Sequence, residues 1–451
     1  MGSTGAARGD VAPVFEPYRA LGHITGPVPF SVHRRGRDAF VTCAIGRTWQ
    51  LYSADRLRLK LVGPQLDVPE DLSAVAASPK GDLTFAAAGG ALCVCFRAHV
   101  VQVEPRAHIG RILAIECVGD DVFTLGEDGT LAHWSPEEGS DAVASGDAPH
   151  LALEGRVTFE AGFEPTCMAH PPTYINKFVV GARDGRAQLW NVVTGRLVYE
   201  FPGWSAPVAC IRPSPAIDVV AFGLGNGDVV LHNLRFDETI ASYGVGPPPP
   251  PNGVASPDAK RTRADSGAAA SDPPGSSRDG VTCVGFSNGT ARPLLAAGTR
   301  SGLVVVWDLD KRTVHHVLDA HRGRALLALH FFPGKPVLMT SGEDNALRQW
   351  LFDGPEMAPR LLRFRDGHAA PPGLVRFYGE GGKRLLSAGS ASEKLADRSL
   401  RLFSVVQDSQ SREMSQRNVR QRAKRMRVDE DELKLAPIAA MAACPLREHD
   451  W

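Results

Sequence analysis

Short apolar runs separated by tight-turn residues repeat along most of this chain. In five places a Gly or Asn in a turn is followed five positions later by an aromatic or imidazole ring. The pairs are Gly129 and Trp134, Gly185 and Trp190, Gly227 and His232, Gly302 and Trp307, and Asn345 and Trp350. Each turn residue stands where a two-residue hairpin needs a positive φ, and an alternating strand follows it. The pattern predicts a succession of antiparallel hairpins.

The spacing of the rings predicts the fold class. Trp190 and His232 are 42 residues apart, and Trp307 and Trp350 are 43 apart. A period of about 40–45 residues with four strands per unit is typical of the WD-repeat β-propeller. Less regular units over 39–61, 72–103 and 373–406 bring the candidates to eight. We therefore predict an all-β WD-repeat propeller of seven blades, the commonest number, with one terminal unit placed elsewhere; an eight-bladed ring is the alternative.

Composition and the repeat limits together predict the domain organisation. Residues 1–14 are small and polar, and we expect them to be disordered. The propeller is predicted over 15–408, interrupted by a disordered Pro-rich insertion at 246–280. Residues 409–451 are predicted to be a charged linker toward a second propeller that this sequence lacks. The surplus unit is expected to be the first one, so that 15–63 belongs to that second propeller.

A buried hydrogen-bond network is predicted to recur in the blades. One unit supplies the fullest set: His321, Thr340 or Ser341, Asp344 and Trp350. The other members expected at repeat positions are Asp184, Trp190, Trp307, Asp308, Asp128 and Trp134. A Ser, a His and an Asp also form catalytic triads, but these side chains stand at repeat positions, which favours a structural role.

Composition argues against several classes of function. Lys plus Arg and Asp plus Glu both total 50, so contact with RNA is expected to be local rather than spread over the surface. No C-x₂-C pair is present to build a zinc site, and no phosphate loop or nucleophile elbow occurs. We predict a protein that is not an enzyme and has no cofactor, metal, membrane contact or small-molecule substrate.

A basic cluster near the C-terminus is the one candidate for an external contact. Six cations lie within eleven residues: Arg417, Arg420, Arg422, Lys424, Arg425 and Arg427. Such clusters serve as nucleic-acid or nuclear-import patches. A charged linker without a partner is the alternative.

Several stretches outside the repeat resemble a known family. They include Phe15-Glu-Pro-Tyr-Arg-Ala-Leu-Gly22, Ser341–Asp353, Arg360–His368 and Arg447-Glu-His-Asp-Trp451. These are similar to the U-three small-nucleolar-RNA-associated tandem WD-repeat proteins of the UTP-B subcomplex of the small-subunit processome. The resemblance implies a nucleolar scaffold that works with other UTP-B proteins and with pre-ribosomal or small nucleolar RNA, bound directly or indirectly. An adaptor of another complex, such as a ubiquitin-ligase substrate receptor or a vesicle-coat subunit, is the alternative.

Overall fold

The computed structural model describes residues 22–137, 150–245, 279–290, 292–354, 357–378, 380–389, 399–404 and 409–413. These residues form eight four-stranded antiparallel sheets, each built from four consecutive strands, and one short 3-10 helix at Glu380–Gly382. This confirms the predicted all-β propeller.

The first four sheets, which we call blades 1 to 4, contain strands β1 to β16. These are β1 Ser31–Arg35, β2 Asp38–Ile45, β3 Thr48–Ser53, β4 Arg58–Val62, β5 Leu72–Ala77, β6 Leu83–Ala88, β7 Ala91–Phe96, β8 His99–Glu104, β9 Ile112–Val118, β10 Asp121–Gly126, β11 Thr130–Pro136, β12 Leu151–Thr158, β13 Pro165–Ala169, β14 Lys177–Ala182, β15 Ala187–Asn191 and β16 Arg196–Phe201.

Blades 5 to 7 and the eighth sheet contain the remaining strands. These are β17 Val208–Pro213, β18 Val219–Leu224, β19 Asp228–Asn233, β20 Glu238–Gly244, β21 Val281–Phe286, β22 Leu294–Thr299, β23 Leu303–Asp308, β24 Thr313–Asp319, β25 Leu326–Phe331, β26 Val337–Gly342, β27 Ala346–Phe352, β28 Pro359–Asp366, β29 Pro372–Tyr378, β30 Arg384–Gly389, β31 Leu400–Ser404 and β32 Ser409–Glu413.

The five turn residues read from the sequence all have a left-handed backbone. The φ angles of the four glycines lie between +71° and +92°, and that of Asn345 is +57°. Glycine adopts this region without the clash that a Cβ atom causes, and Asn tolerates it better than most residues. Each of these turns joins the second and third strands of one blade.

Packing between sheets closes a ring of seven blades. The buried apolar side chains of the described residues form seven clusters, and each cluster lies between two neighbouring sheets. Six of them join blade 1 to blade 2 and so on up to blade 7. The seventh joins blade 7 back to blade 1, with Met339 and Leu347 packed against Val41, Cys43 and Tyr52. We call this last contact the seam.

Hydrogen bonds reinforce the seam. The Asn345 side chain accepts from the backbone N–H of Ile24 at 2.7 Å and donates to the carbonyls of Gly22 and His368, both at 3.0 Å. Arg34 donates to the carbonyl of Pro333 at 3.0 Å. Since no sheet mixes strands from the two ends of the chain, closure depends on these side-chain contacts.

The unit outside the ring is the last one, β29–β32, instead of the first. None of the seven clusters includes a described side chain of this sheet. Its strand β29 leaves Phe377 71% exposed and Val375 42% exposed. The expectation that 15–63 joins a second propeller therefore differs from the observed packing, because β1–β4 fill the space between blades 7 and 2.

The predicted loops lie mostly outside the described residues. Residues 1–14 and 246–278 belong to those parts, and so does most of 409–451. The start of the predicted charged linker differs, because Ser409–Glu413 pairs with β31 as the last strand of the eighth sheet.

Removing one terminal unit at a time tests which of them completes the ring. A fragment of residues 22–366 keeps all seven clusters, so we expect one cooperative thermal transition with a midpoint within a few degrees of the whole chain. A fragment of residues 64–451 loses blade 1 and exposes the facing surfaces of blades 2 and 7. We expect it to aggregate or to unfold without a cooperative transition.

Differential scanning calorimetry and size-exclusion chromatography measure both fragments. The opposite result, a stable 64–451 fragment and an unstable 22–366 fragment, would show that the seam is not what closes the ring.

Candidate functional site

Blade 7 contains a buried chain of hydrogen bonds that links three of its strands and turns. The Trp350 indole donates to the Thr340 hydroxyl at 3.1 Å. That hydroxyl lies 2.9 Å from His321 Nε2, and His321 Nδ1 lies 2.7 Å from the Asp344 carboxylate. His321 and Thr340 are fully buried. The strand β26 carries Thr340, β27 carries Trp350, and the turn between them carries Asp344.

The acceptor-only carboxylate sets the direction of this chain. Because Asp344 accepts, Nδ1 of His321 carries the ring proton, and Nε2 accepts from the Thr340 hydroxyl. Burial lowers the pKa of His321, so the imidazole is neutral near pH 7. Burial alone would raise the pKa of Asp344, but the hydrogen bond from His321 and the charge of Arg348, 2.6 Å away, hold it below its ordinary value.

Blade 3 repeats the arrangement with different residues. The Trp134 indole donates to the Thr124 hydroxyl at 3.0 Å, and Thr124 lies 2.8 Å from His108 Nε2. His108 Nδ1 lies 3.1 Å from Asp128. Each polar group in the chain has a partner, which is the condition under which a buried network stabilises a fold.

The other expected network members form different contacts. The Trp190 indole donates to Gln188 at 2.9 Å, and Asp184 pairs with Arg186 at 2.6 Å on the surface. Asp308 accepts from the backbone N–H groups of Asp310 and Lys311 at 3.0 and 3.1 Å, and so shapes the following turn. Trp307 packs against Tyr243 with 5.5 Å between ring centroids.

Sequence reasoning missed four members of these networks. They are His108 and Thr124 in blade 3, Arg156 near Asp128, and Arg348 beside Asp344. A signal for the first two was present. His108 precedes Asp128 by 20 residues, much as His321 precedes Asp344 by 23.

The Ser-His-Asp set of blade 7 is not arranged for nucleophilic catalysis. Ser341 Oγ is buried and has no hydrogen-bond partner among the described residues. Both ring nitrogens of His321 are already bound, to Asp344 and Thr340, so neither is placed to activate Ser341. The arrangement can stabilise the blade and cannot deprotonate the serine.

Charged side chains also stand on the innermost strands. Glu116 on β9 accepts from the backbone N–H of His170 at 3.2 and 3.3 Å, and burial raises its pKa. Burial, together with the charges of Arg212 and Arg34, lowers the pKa of His330 on β25 to about 4. These arginines therefore face a neutral imidazole.

Two further classes of site were sought in the part of the chain that the structure describes. No group of three or more His, Cys, Asp or Glu side chains is placed to hold a metal ion there. No helix there is long and apolar enough to cross a bilayer. The basic cluster from Arg417 to Arg427 lies outside the described residues.

Comparison with known sequences identifies the family. The family model described as the WDR36/Utp21 first beta-propeller matches residues 41–353. The chain belongs to the WDR36/Utp21 family. WD repeat-containing protein 36 of Homo sapiens is 33% identical over 447 residues, and the U3 small nucleolar RNA-associated protein 21 homolog of Schizosaccharomyces pombe is 31% identical over 445 residues.

This WDR36/Utp21 chain is shorter than those relatives. Each match covers 97% of this chain, but 44% of the human protein and 43% of the fission-yeast protein. Among solved structures, that of Saccharomyces cerevisiae Sqt1 aligns with a TM-score of 0.57 at 13% identity, over 86% of this chain and 95% of that one. At that identity the likeness shows the fold alone.

Substitution of Thr340 by Val tests the blade 7 network. Val keeps the shape but leaves His321 Nε2 and the Trp350 indole N–H without a partner, at about 1–3 kcal/mol for each group. We expect Thr340→Val to lower the free energy of unfolding, measured by urea denaturation. The control is Ser341→Ala, which removes a hydroxyl with no partner in the described structure and should be neutral or slightly stabilising. Equal losses in the two variants would contradict the network.

The buried histidines predict a loss of stability in acid. Burial lowers the pKa of His108, His321 and His330, so the unfolded chain takes up protons below its ordinary histidine pKa of about 6.5 before the folded chain does. Their contribution to stability is complete above about pH 6.5 and is lost as the pH falls toward 4.

Urea midpoints measured between pH 8 and pH 4 check this expectation. His330→Gln should flatten the decline, whereas His99→Gln should not, because His99 is exposed. A pH-independent midpoint over this range would refute it.

Proposed function

We propose that this chain is a non-catalytic scaffold in small-subunit ribosome biogenesis. Family membership carries the proposal: the matched relative of Schizosaccharomyces pombe is named for association with the U3 small nucleolar RNA, and 97% of the chain aligns with it. The scaffold assists 18S rRNA processing by assembling processome components around the small nucleolar ribonucleoprotein.

The structure is suited to holding partners. A ring of seven blades keeps many surface loops at fixed positions on two faces, and such loops carry function on a rigid framework. The one Ser-His-Asp set with catalytic composition is bound within blade 7. We therefore propose that the chain binds and positions other macromolecules and catalyses no reaction.

We propose that the eighth sheet belongs to a second propeller. The family model is described as a first propeller and its match ends at 353, before β29 begins. The exposed Val375 and Phe377 of β29 suit an inner strand that awaits a neighbouring blade. Under this proposal the second ring begins with β29–β32, while residues 15–63 stay in the first.

The proposed partners are other UTP-B proteins and the RNA of the processome, and the proposed location is the nucleolus. The cluster from Arg417 to Arg427 is the proposed contact with RNA or with an import receptor. Its six positive charges would bind phosphate in a salt-dependent manner.

Cross-linking in cells tests the proposal. A tagged chain is cross-linked with ultraviolet light, and the attached RNA is sequenced while co-purified proteins are identified by mass spectrometry. We expect processome proteins, with pre-ribosomal or small nucleolar RNA, and nucleolar staining. Replacing the six cations by Gln should reduce RNA recovery or nuclear entry. Cytoplasmic or vesicular staining with ubiquitin-ligase or coat subunits would support the alternative adaptor function instead.

A further inference from the structure

Four strongly exposed apolar side chains lie on one face of blades 4 and 5. Each stands in a turn that joins the first two or the last two strands of its blade, so all four reach the same face of the ring. In blade 4 they are Ile175 and Val193, which are 85% and 62% exposed. In blade 5 they are Ile217 and Phe236, which are 75% and 69% exposed. We call this surface the 4–5 patch.

Polar contacts show that the two halves of the patch adjoin. The Tyr199 hydroxyl of blade 4 donates to the Asp237 carboxylate of blade 5 at 2.6 Å. Near Ile175, burial and the Asp218 carboxylate of blade 5 raise the pKa of Tyr174, and Arg235 opposes that shift. These side chains stand beside Ile175, Ile217 and Phe236 in sequence. The apolar residues thus form one surface across two blades, a feature that marks interaction sites more often than scattered apolar residues do.

The charges around the patch have an uneven balance. Asp237 is bound by Tyr199 and by His232, the latter at 3.0 Å. Lys177 lies over the Tyr174 ring at 4.7 Å, and Arg235 lies over the Phe236 ring at 5.5 Å. Neither cation forms an ion pair with another described residue. The surface therefore offers apolar side chains beside cations that have no carboxylate partner.

We propose that the 4–5 patch binds an acidic, apolar segment of another protein. Apolar side chains of that segment would cover Ile217 and Phe236, and its carboxylates would pair with Lys177 and Arg235. The inference deepens the scaffold function, on which it rests, by naming the surface and the chemistry of one partner.

A protein segment suits the patch better than RNA does. Single-stranded RNA is held by aromatic rings on which bases stack and by a continuous groove of cations. Three of the four exposed anchors here are aliphatic, and the cations stand apart on two blades. Aliphatic anchors flanked by charge are the composition of a protein interface, with an apolar centre and a polar rim.

A photo-reactive side chain at position 236 tests the proposal in the full 451-residue chain. We would introduce Phe236→p-benzoylphenylalanine, irradiate cells that express the chain, and map the attached peptide by mass spectrometry. The expected product joins position 236 to a segment of another protein that carries apolar and acidic residues within a short stretch. A cross-link to RNA, to a second copy, to this chain's own Asp429–Glu432, or no product at all, would overturn the proposal.

Charge and apolar variants, combined with the cross-linker, show what the patch contributes. Arg235→Glu with Lys177→Glu, and separately Ile217→Glu, should each reduce the yield of that product at least tenfold. Matched controls are Arg56→Glu, an exposed arginine on blade 1, and Ile109→Glu, which is 98% exposed on the opposite face. Both should leave the yield unchanged. Equal losses in variants and controls would also overturn the proposal.

The two proposals fail in different ways. If the chain co-purifies with processome proteins but the patch variants lose nothing, the patch proposal fails and the scaffold function stands. If the cross-linked protein is real but no processome component co-purifies, the ribosomal assignment fails and the patch stands.

Discussion

Blade 7 packs directly against blade 1, and the rest of the ring depends on that contact. Each sheet is built from four consecutive strands, so no strand from one end of the chain completes a sheet at the other. The seam is therefore held by side chains, chiefly the apolar cluster around Met339 and Tyr52. If that cluster opened, blades 1 and 7 would each expose a buried face, and the fixed spacing of the loops on both faces would be lost.

The buried hydrogen-bond chains act within blades, while apolar packing acts between them. In blades 3 and 7 the chain from indole to carboxylate ties the second strand, the third strand and the turn that joins them. The remaining blades keep the same shape with other contacts, such as the Gln188 partner of Trp190. The fold therefore does not need the full network in every unit, which explains why the repeat can be degenerate.

The fold could be predicted from the sequence because its signals are local. Gly129, Gly185, Gly227, Gly302 and Asn345 are required by backbone geometry at single turns, and rings at a fixed distance follow them. His108 and Thr124 escaped because they lie outside the turn-to-ring spacing. The identity of the surplus unit could not be predicted, because closure depends on packing between residues some 300 positions apart, such as Asn345 and Ile24. The 4–5 patch likewise exists only once two blades stand side by side.

One side chain joins the two ends of the ring to the segment that leaves it. The amide of Asn345 holds Gly22 and Ile24 at the entry of the chain and His368 at the exit toward the eighth sheet. A force applied to the eighth sheet would therefore reach the seam before it reached any other blade contact. In a tandem protein, the orientation of the second body and the closure of the first would then be mechanically coupled through a single amide.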